Sequence, residues 1–547
     1  MKYKILSKLK LTSKFKTKDL IELILNNRGI KTKKEKELFL TPKLSEVNIK
    51  SAGISLKEVK KAKQRIKKAI KNKEEIVVFG DYDVDGICGT AILWETLNSL
   101  GAKVMPYIPH RTDEGYGLSI KGIKNVKAQT ESIKLIITID NGAVANEAVD
   151  FANKEGIDVI ITDHHTFGTT KPKSLATIHT KNICGASVAY LFSKALGSKD
   201  EGHIELAAIA TIADLVPLNS LNRIIAKLGI EKIKTTKRIG LLELFKEAGL
   251  EISRIGGYEI GHIISPRINA MGRMEYAMDS LRLLCTRDRV RARELAEKIS
   301  ETNRKRQNLT IETTTEVITK VRKTIGNKKL VFVSDEKYNQ GIIGLVAGKL
   351  VEEFYLPSIV VAKGESLSKA SARSIRGFNI VEFIRNSSEL LIDVGGHPMA
   401  AGFTVETDKL TLVQEKMEKL ADKMVVPDLL NKETRIDCEM PITVVSLELV
   451  KKLEDLAPFG PSNPIPVFLS KNLIIEEMRL VGSDGRHLKL SLRDSKKENI
   501  VNAIAFNLGE KAKEFRIGDK ISAVYTLSVD EWNGNQRIQM KIKDLFI

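Results

Sequence analysis

The chain has 547 residues, 42% hydrophobic and 29% charged, with 37 Gly and 14 Pro. At roughly 100–200 residues per domain it holds several domains, which excludes a single small binding module as well as a disordered or collagenous chain. Its 88 Lys plus Arg against 69 Asp plus Glu leave +19 at pH 7, which suggests a polyanionic partner, nucleic acid first, although abundant surface lysine gives the same sign.

The four cysteines, Cys88, Cys184, Cys285 and Cys438, are dispersed with no CxxC pair. Neither a disulfide framework nor a zinc finger is expected, and a reducing cytoplasm fits. No apolar run approaches about 18 residues, so no membrane span is expected, and the lysine-rich start does not read as an export signal.

Residues from about 15 to 70 read as helices, with helical apolar spacing from Leu20 to Leu25 and a lysine-rich amphipathic stretch from Leu56 to Ile70. From Glu75 to about Thr162, short apolar runs alternate with helical segments. Ile76–Phe79, Val104–Ile108, Leu135–Ile139 and Val159–Thr162 read as buried strands of a parallel α/β sheet. A mostly helical connector follows, and then a second α/β unit with strands expected at Lys329–Val333 and Ser358–Ala362. Beyond the turn-rich Pro458–Pro464, strands are expected at Leu473–Ile475, His487–Leu492, Ile500–Phe506, Ile521–Leu527 and Arg537–Ile542, with Asn533-Gly534 as a hairpin turn; together they suggest a small barrel. The expected fold class is therefore α/β: a helical segment 1–70, a parallel-sheet domain 71–225, a helical connector 226–325, a second α/β domain 326–425, and a linker with a β-barrel over 430–547.

The chemistry-bearing residues stand where predicted strands end. Asp81, Asp83 and Asp85 follow Ile76–Phe79, Asp140 follows Leu135–Ile139, and Asp163-His164-His165 follows Val159–Thr162. The carboxyl ends of parallel strands converge on one crevice, so these acids become neighbours; Asp214, after the apolar stretch Thr211-Ile212-Ala213, can join them. Any one Asp in such a place reads most simply as a helix N-cap. Five carboxylates in one crevice repel unless cations compensate, and two divalent ions supply about the required charge. Oxygen ligands suit Mg²⁺ or Mn²⁺, a histidine ligand favours Mn²⁺, and such a pair serves phosphoryl transfer. On an extended backbone His164 and His165 point to opposite sides, so one is expected as a ligand and the other in a different role.

Gly80-Asp81-Tyr82-Asp83-Val84-Asp85-Gly86, Thr138-Ile139-Asp140-Asn141-Gly142, Asp163-His164-His165 and Ala213-Asp214 resemble the four motifs of the DHH phosphoesterase superfamily. Within it the chain is most similar to the RecJ family of single-strand-specific exonucleases. Pro109-His110-Arg111, Pro266-Arg267-Ile268-Asn269-Ala270 with Gly272-Arg273, and Gly395-Gly396-His397-Pro398 extend the likeness in order along nearly the whole chain. The resemblance implies that Asp81 and Asp83 serve one ion and Asp85, His164 and Asp214 the other, with Asp140 bridging. It leaves open how the clustered aspartates divide between the ions. It gives His165 a phosphate or leaving-group role. His179-Thr180 and Tyr338-Asn339-Gln340 depart from the family pattern, at positions that are not metal ligands.

Ser371-Ala372-Arg373 and Gly396-His397 resemble the DHHA1 domain, which closes over substrate; paired glycines let backbone N–H groups approach phosphate, and Arg373 can pair with it. Arg111, Arg267 and Arg273 are expected at phosphates. The β-rich tail resembles an OB-fold, with Phe506, Tyr525 and Trp532 able to stack on bases or to fill its core. Gly344–Lys349 has the wrong spacing for a phosphate loop, so no nucleotide cofactor is expected. The family implies 5′-to-3′ hydrolysis of single-stranded DNA to 5′-mononucleotides in recombination and repair, with single-strand-binding protein or a helicase as partners and no membrane. The alternatives are a phosphoesterase for short oligonucleotides or cyclic dinucleotides, and a non-catalytic DNA-binding replication scaffold. Every expected ligand lies before residue 215, so the tail reads as removable after about Leu456 without loss of the metal site.

Overall fold

The computed structural model describes residues 2–7, 16–130, 132–482, 484–494, 499–532 and 535–547, Trp532 by its backbone alone. The chain forms two compact units, one of Asn48–Asp214 with Gly229–Lys432, the other of Met1–Val47, Leu215–Leu228 and Glu433–Ile547.

In the first unit, five parallel strands lie in the order Lys103–Tyr107, Glu75–Gly80, Ile133–Ile139, Asp158–Asp163, Ala176–His179. Ile76, Val77, Val78 and Phe79 are wholly buried, as befits a strand covered on both faces. Val126 and Val149, from the helices Ile120–Gln129 and Asn146–Lys154, pack with Phe79, Ile136 and Ile161 on one face. The order reverses between Glu75–Gly80 and Ile133–Ile139, the position in a doubly wound sheet where a crevice opens at the strand ends. Asp81 and Asp140 stand at that reversal. The fifth strand, Ala176–His179, escapes the apolar pattern because it is four residues long with a half-buried alternate face.

A 36-residue helix, Arg289–Thr324, leads into the second sheet, ordered Asp393–His397, Ala400–Glu406, Leu367–Arg373, Ser358–Ala362, Val331–Asp335. Only the last two pair in parallel. The expected strand Lys329–Val333 starts two residues later, at Val331. Leu367–Arg373 is absent from the sequence reading because Ser368, Ala370 and Ala372, rather than β-branched residues, fill its inward positions; the 393–406 hairpin is absent too, although Phe403 and Val405 of its second strand lie in the core.

In the second unit, Phe468–Val481, His487–Arg493, Ile500–Ala505, Asn535–Phe546 and Lys520–Trp532 form a barrel closed between the first and last of these. The barrel does not stand alone. Leu20, Leu23, Ile24 and Leu25 of the helix Thr17–Asn27, and Phe39, share one core with Phe468, Leu488, Tyr525 and Met540. The strand Lys2–Ile5, unexpected from sequence, pairs with Glu433–Ile436, and Arg28 grips Asp437 with two hydrogen bonds of 2.6 and 3.1 Å. A cut after Leu456 would open this core, which corrects the expectation of a separable tail. Tyr525 is fully buried with its hydroxyl 2.8 Å from Ser470 Oγ, so it is a core residue. The Trp532 side chain and the Asn533-Gly534 turn lie outside the described residues. Among the described residues no helix is long and apolar enough to cross a membrane.

Candidate active site

Asp83 caps the helix Val84–Ser99, its Oδ1 accepting from the backbone N–H of Asp85 and Gly86 at 2.9 and 3.1 Å. The capping reading thus holds at Asp83, while its carboxylate also lies in a group with Asp81 and Asp140 whose ligand atoms are within 4.8 Å of one another. Both oxygens of Asp85 accept N–H bonds, from Gly185 at 2.6 Å and Ala186 at 2.7 Å, at the start of the helix Gly185–Leu196. That helix end stabilises a buried carboxylate. Asp140 has φ +62°, a left-handed backbone that costs a non-glycine residue about 1–3 kcal/mol and needs its surroundings to hold it. Its N–H donates to Thr162 O at 3.0 Å, Tyr116 OH donates to its carbonyl at 2.9 Å, and Gly185 leaves room for it: a Cβ there would meet Asp140 Oδ1 at 2.7 Å.

The strand ends at Asp163, so His164 and His165 are not on extended sheet backbone, and both rings turn toward the same acids. This corrects the expectation that they diverge. Their centroids are 4.5 Å apart. His164 Nε2 is 3.1 Å from Asp140 Oδ1 and 3.7 Å from both Asp85 Oδ2 and Asp214 Oδ2. Asp85, His164 and Asp214 form a second ligand group within 4.8 Å, and Asp140, His164 and His165 a third. Asp163, given no role by the sequence reading, accepts at one oxygen from the N–H of His164 and His165 and bonds His165 Nδ1 at 2.8 Å, while its other oxygen takes Ala143 N–H. It orients His165. Its place as the first letter of Asp163-His164-His165 was the available signal, and for Tyr116 it was the family-like stretch Glu114-Gly115-Tyr116-Gly117; the Gly185 N–H had none.

Burial, and then repulsion among Asp81, Asp83, Asp85 and Asp214, push Asp81, Asp83 and Asp140 above the usual carboxylate range and Asp214 to about 9. Burial lowers His164. At His165 burial also works downward, but the Asp163 bond and the surrounding carboxylates outweigh it and raise the ring to about 9. Asp81 Oδ1 and Asp140 Oδ1 are buried without a hydrogen-bond partner among the described residues. Asp140 Oδ1 has only the His164 and His165 rings near it, at 3.1 and 3.8 Å, and Asp81 Oδ1 has neither; a buried carboxylate cluster so short of positive charge fits divalent cations, and the oxygen-rich donor set fits Mg²⁺ or Mn²⁺.

Cations and small residues face this centre from the same unit. Arg111 lies over the Tyr82 ring at 5.0 Å. Burial, and then the charges of Arg111, Arg373 and Arg306, lower Arg273 to about 9, and its Nη1 donates to Gly341 O at 3.2 Å. Arg373 donates to Ser371 Oγ at 3.2 Å, and Gly344 admits the pair, since a Cβ there would meet Ser371 Oγ at 2.9 Å and Arg373 Nη2 at 3.0 Å. His397, Ala400 and Arg373 line up across three strands, and Gly396 has φ +139° with its neighbours too close for a side chain. The His397 ring stacks on His165. Arg267 instead donates to Ile263 O of its own helical segment.

Three family models match: "DHH family, N-terminal domain" over residues 75–218, "DHHA1 domain" over 326–423 and "RecJ OB domain" over 436–544. The chain is 35% identical to the single-stranded-DNA-specific exonuclease RecJ of Bacillus subtilis over 98% of its own length and 69% of that protein. It belongs to the RecJ family. The RecJ of Escherichia coli is 30% identical, over 90% of each chain. A crystal structure of Thermus thermophilus RecJ in complex with Mn²⁺ matches with a TM-score of 0.84 and 28% identity, over 100% of this chain and 79% of that one; a second was solved with Mg²⁺.

Proposed function

We propose that the chain is a metal-dependent 5′-to-3′ exonuclease that hydrolyses single-stranded DNA to 5′-mononucleotides in recombination and repair. The observation that carries this reading is the meeting of two ligand groups, Asp81-Asp83-Asp140 and Asp85-His164-Asp214, at the sheet's switch point, in a chain whose relatives are named single-stranded-DNA-specific exonucleases.

Asp81, Asp83 and Asp140 would hold one divalent cation, and Asp85, Asp140, His164 and Asp214 the other. Bound Mn²⁺ or Mg²⁺ would supply Lewis-acid activation of the attacking water and neutralise charge at the leaving oxygen. Asp163 holds His165 toward the phosphate. Arg111, Arg267, Arg273, Ser371, Arg373, Gly396 and His397 grip the strand, and the stacking of His397 on His165 supports a passage that admits one strand and not a duplex. The proposed functional segments are 1–70, 71–225, 226–325, 326–425 and 430–547, the first of them sharing a core with the last through the helix Thr17–Asn27. The free cysteines Cys88, Cys184, Cys285 and Cys438 support a reducing cytoplasm, and single-strand-binding protein or a helicase as partner follows from the proposed repair role.

The test is digestion of 5′-labelled and 3′-labelled single strands with Mn²⁺ and with EDTA. The 5′ label should leave as a mononucleotide in Mn²⁺ only. No cleavage would favour the scaffold, and cleavage of di- to tetranucleotides alone the small-substrate phosphoesterase.

A further inference from the structure

Arg306, on the long helix Arg289–Thr324, and Arg267, on the helix Ser265–Met274 packed against it, belong to the same compact unit as the acids. The Nε of each is buried without a hydrogen-bond partner among the described residues, and neither guanidinium has a carboxylate within ion-pair distance there. Arg306 Nη2 donates to Asn303 Oδ1 at 2.8 Å, an acceptor without charge. Glu247, whose carboxylate acts on Arg267 from a distance, is engaged by Arg304 at 3.5 Å. What presses on Arg306 is burial and then the like charge of Arg267, and both lower it. Burying such donors without an acceptor is unfavourable, so two of them on facing helices, with no anion of the chain's own, call for an anion from outside.

The backbone keeps this pair apart from the recess of Arg273 and Arg373. Pro266 has no N–H to give to His262 O, which an α-helix would require, and the chain widens there into the π turn Ile260–Ile264. Single turns of this kind recur at functional sites. Just past it, the Arg267 side chain folds back to donate from Nη1 to Ile263 O at 2.8 Å. Arg273 stands six residues further along the same helix, about 9 Å along its axis, and donates instead to Gly341 O at 3.2 Å. The two guanidinium groups therefore serve different pockets.

We propose that Arg267 and Arg306 form a second anion site, which takes a backbone phosphate of the single strand beyond the one held at Arg273 and Arg373. Only strands longer than a dinucleotide reach it, so it supplies the preference for polymer over short fragments. This rests on the single-strand exonuclease reading above. Inorganic phosphate shares the chemistry, and the experiment tells the two sources apart.

The experiment measures binding of 5′-phosphorylated oligothymidylates, from the dinucleotide upward, to full-length wild type, Arg306→Met and Arg267→Met in EDTA, with salt titrations, inorganic phosphate as a separate titrant, and thermal melts. Wild-type affinity should rise in a step at the length that first reaches the second site. Each variant should lose that step, bind long strands at least about tenfold more weakly, flatten log Kobs against log[salt] by about 0.7, and keep its dinucleotide affinity within about twofold. Methionine keeps the length of the side chain without its charge, so relief of an unpaired buried cation should hold or raise the melting temperature of Arg306→Met. An equal loss at every length would place the pair at the reacting phosphate and overturn the proposal. A lowered melting temperature with unchanged strand affinity, the mark of a purely structural pair, overturns it too, as does inorganic phosphate binding that the variants lose while strand affinity stays. If Arg267→Met does not fold because Ile263 O loses its donor, Arg306→Met decides by the same readouts. A wild type that binds no single strand of any length overturns the exonuclease reading itself, which separates the two failures.

Discussion

The imidazole rings of His165 and His397 stack with centroids 5.7 Å apart and planes 26° from parallel, one following the first sheet's fourth strand, the other ending an edge strand of the second sheet. The contact brings a group from a different sheet against the ring that Asp163 orients. Removing it with His397→Ala loses a ring contact of about 1 kcal/mol together with a strand contact. kcat/KM on single strands should fall at least about tenfold, an effect of about 1.4 kcal/mol, with Mn²⁺ binding unchanged. Wild-type kcat/KM would remove His397 from the strand path.

Gly344→Ala tests the arginine recess without touching an arginine. Alanine favours the helix Ile343–Phe354 by about 0.5–1 kcal/mol over glycine, so folding should hold or improve. The new Cβ must displace Ser371 Oγ or the Arg373 guanidinium end. KM should rise about tenfold, worth about 1.4 kcal/mol, while both Mn²⁺ affinities stay put. An unchanged KM would show that the position of Arg373 does not matter to the strand.

The legibility of the site followed the sheet. Ile76–Phe79 and Leu135–Ile139 are unbroken apolar runs, so the acids after them were visible as strand-end residues, and a parallel sheet brings them together. Orientation was not visible. The divergence expected of His164 and His165 assumed that the strand continued past Asp163, and Asp163 ends it by accepting both of their N–H groups. Leu367–Arg373 hid because its inward residues are Ser and Ala. Arg306 hid for the opposite reason: an arginine within a helix reads as solvated, and only tertiary structure reveals that its Nε is buried without a partner among the described residues.

Glu95 offers a test of stability away from the metals. Its carboxylate pairs with both terminal nitrogens of Arg238, at 2.6 and 2.9 Å, and lies 3.1 Å from His203 Nε2. Burial works to raise it, but the His203 and Arg238 bonds win and hold it at about 2, below its ordinary 4.5. A depressed folded pKa contributes stability that is complete above the unfolded value and is lost as pH falls toward the folded one. Glu95→Gln should therefore cost about 3 kcal/mol at pH 7, the distance between those two values taken at about 1.36 kcal/mol per pH unit. The gap between variant and wild type should shrink by about half toward pH 3. Denaturant melts across that range decide it, and a gap independent of pH would mean the charge on Glu95 is not what stabilises.

The barrel carries a row of positive charge that its register defines. Arg479 pairs with Lys489, Lys489 with Ile504, and Ile504 with Lys541, so the three cations share one face across four strands. The adjacent row, Met478, Leu490, Ala503 and Met540, packs in the core. None of the three cations has a carboxylate within ion-pair distance among the described residues, and like charges directly opposite work against a sheet, so the row is better suited to a polyanion than to the barrel's own stability. Phe506 stands beside it, 53% exposed and edge-on to His487 at 5.3 Å, where a base can stack. The two contributions separate by salt. If each cation meets one phosphate, alanine at all three should flatten the slope of log Kobs against log[salt] by about 2, at roughly 0.7 per single-strand contact. Affinity should fall most at low salt, and the melting temperature should hold or rise. Phe506→Ala should weaken binding by about 1–3 kcal/mol at every salt concentration and leave the slope alone. Both titrations use full-length protein in EDTA, so that no strand is cut. A triple variant with the wild-type slope would take this face of the barrel out of contact with DNA.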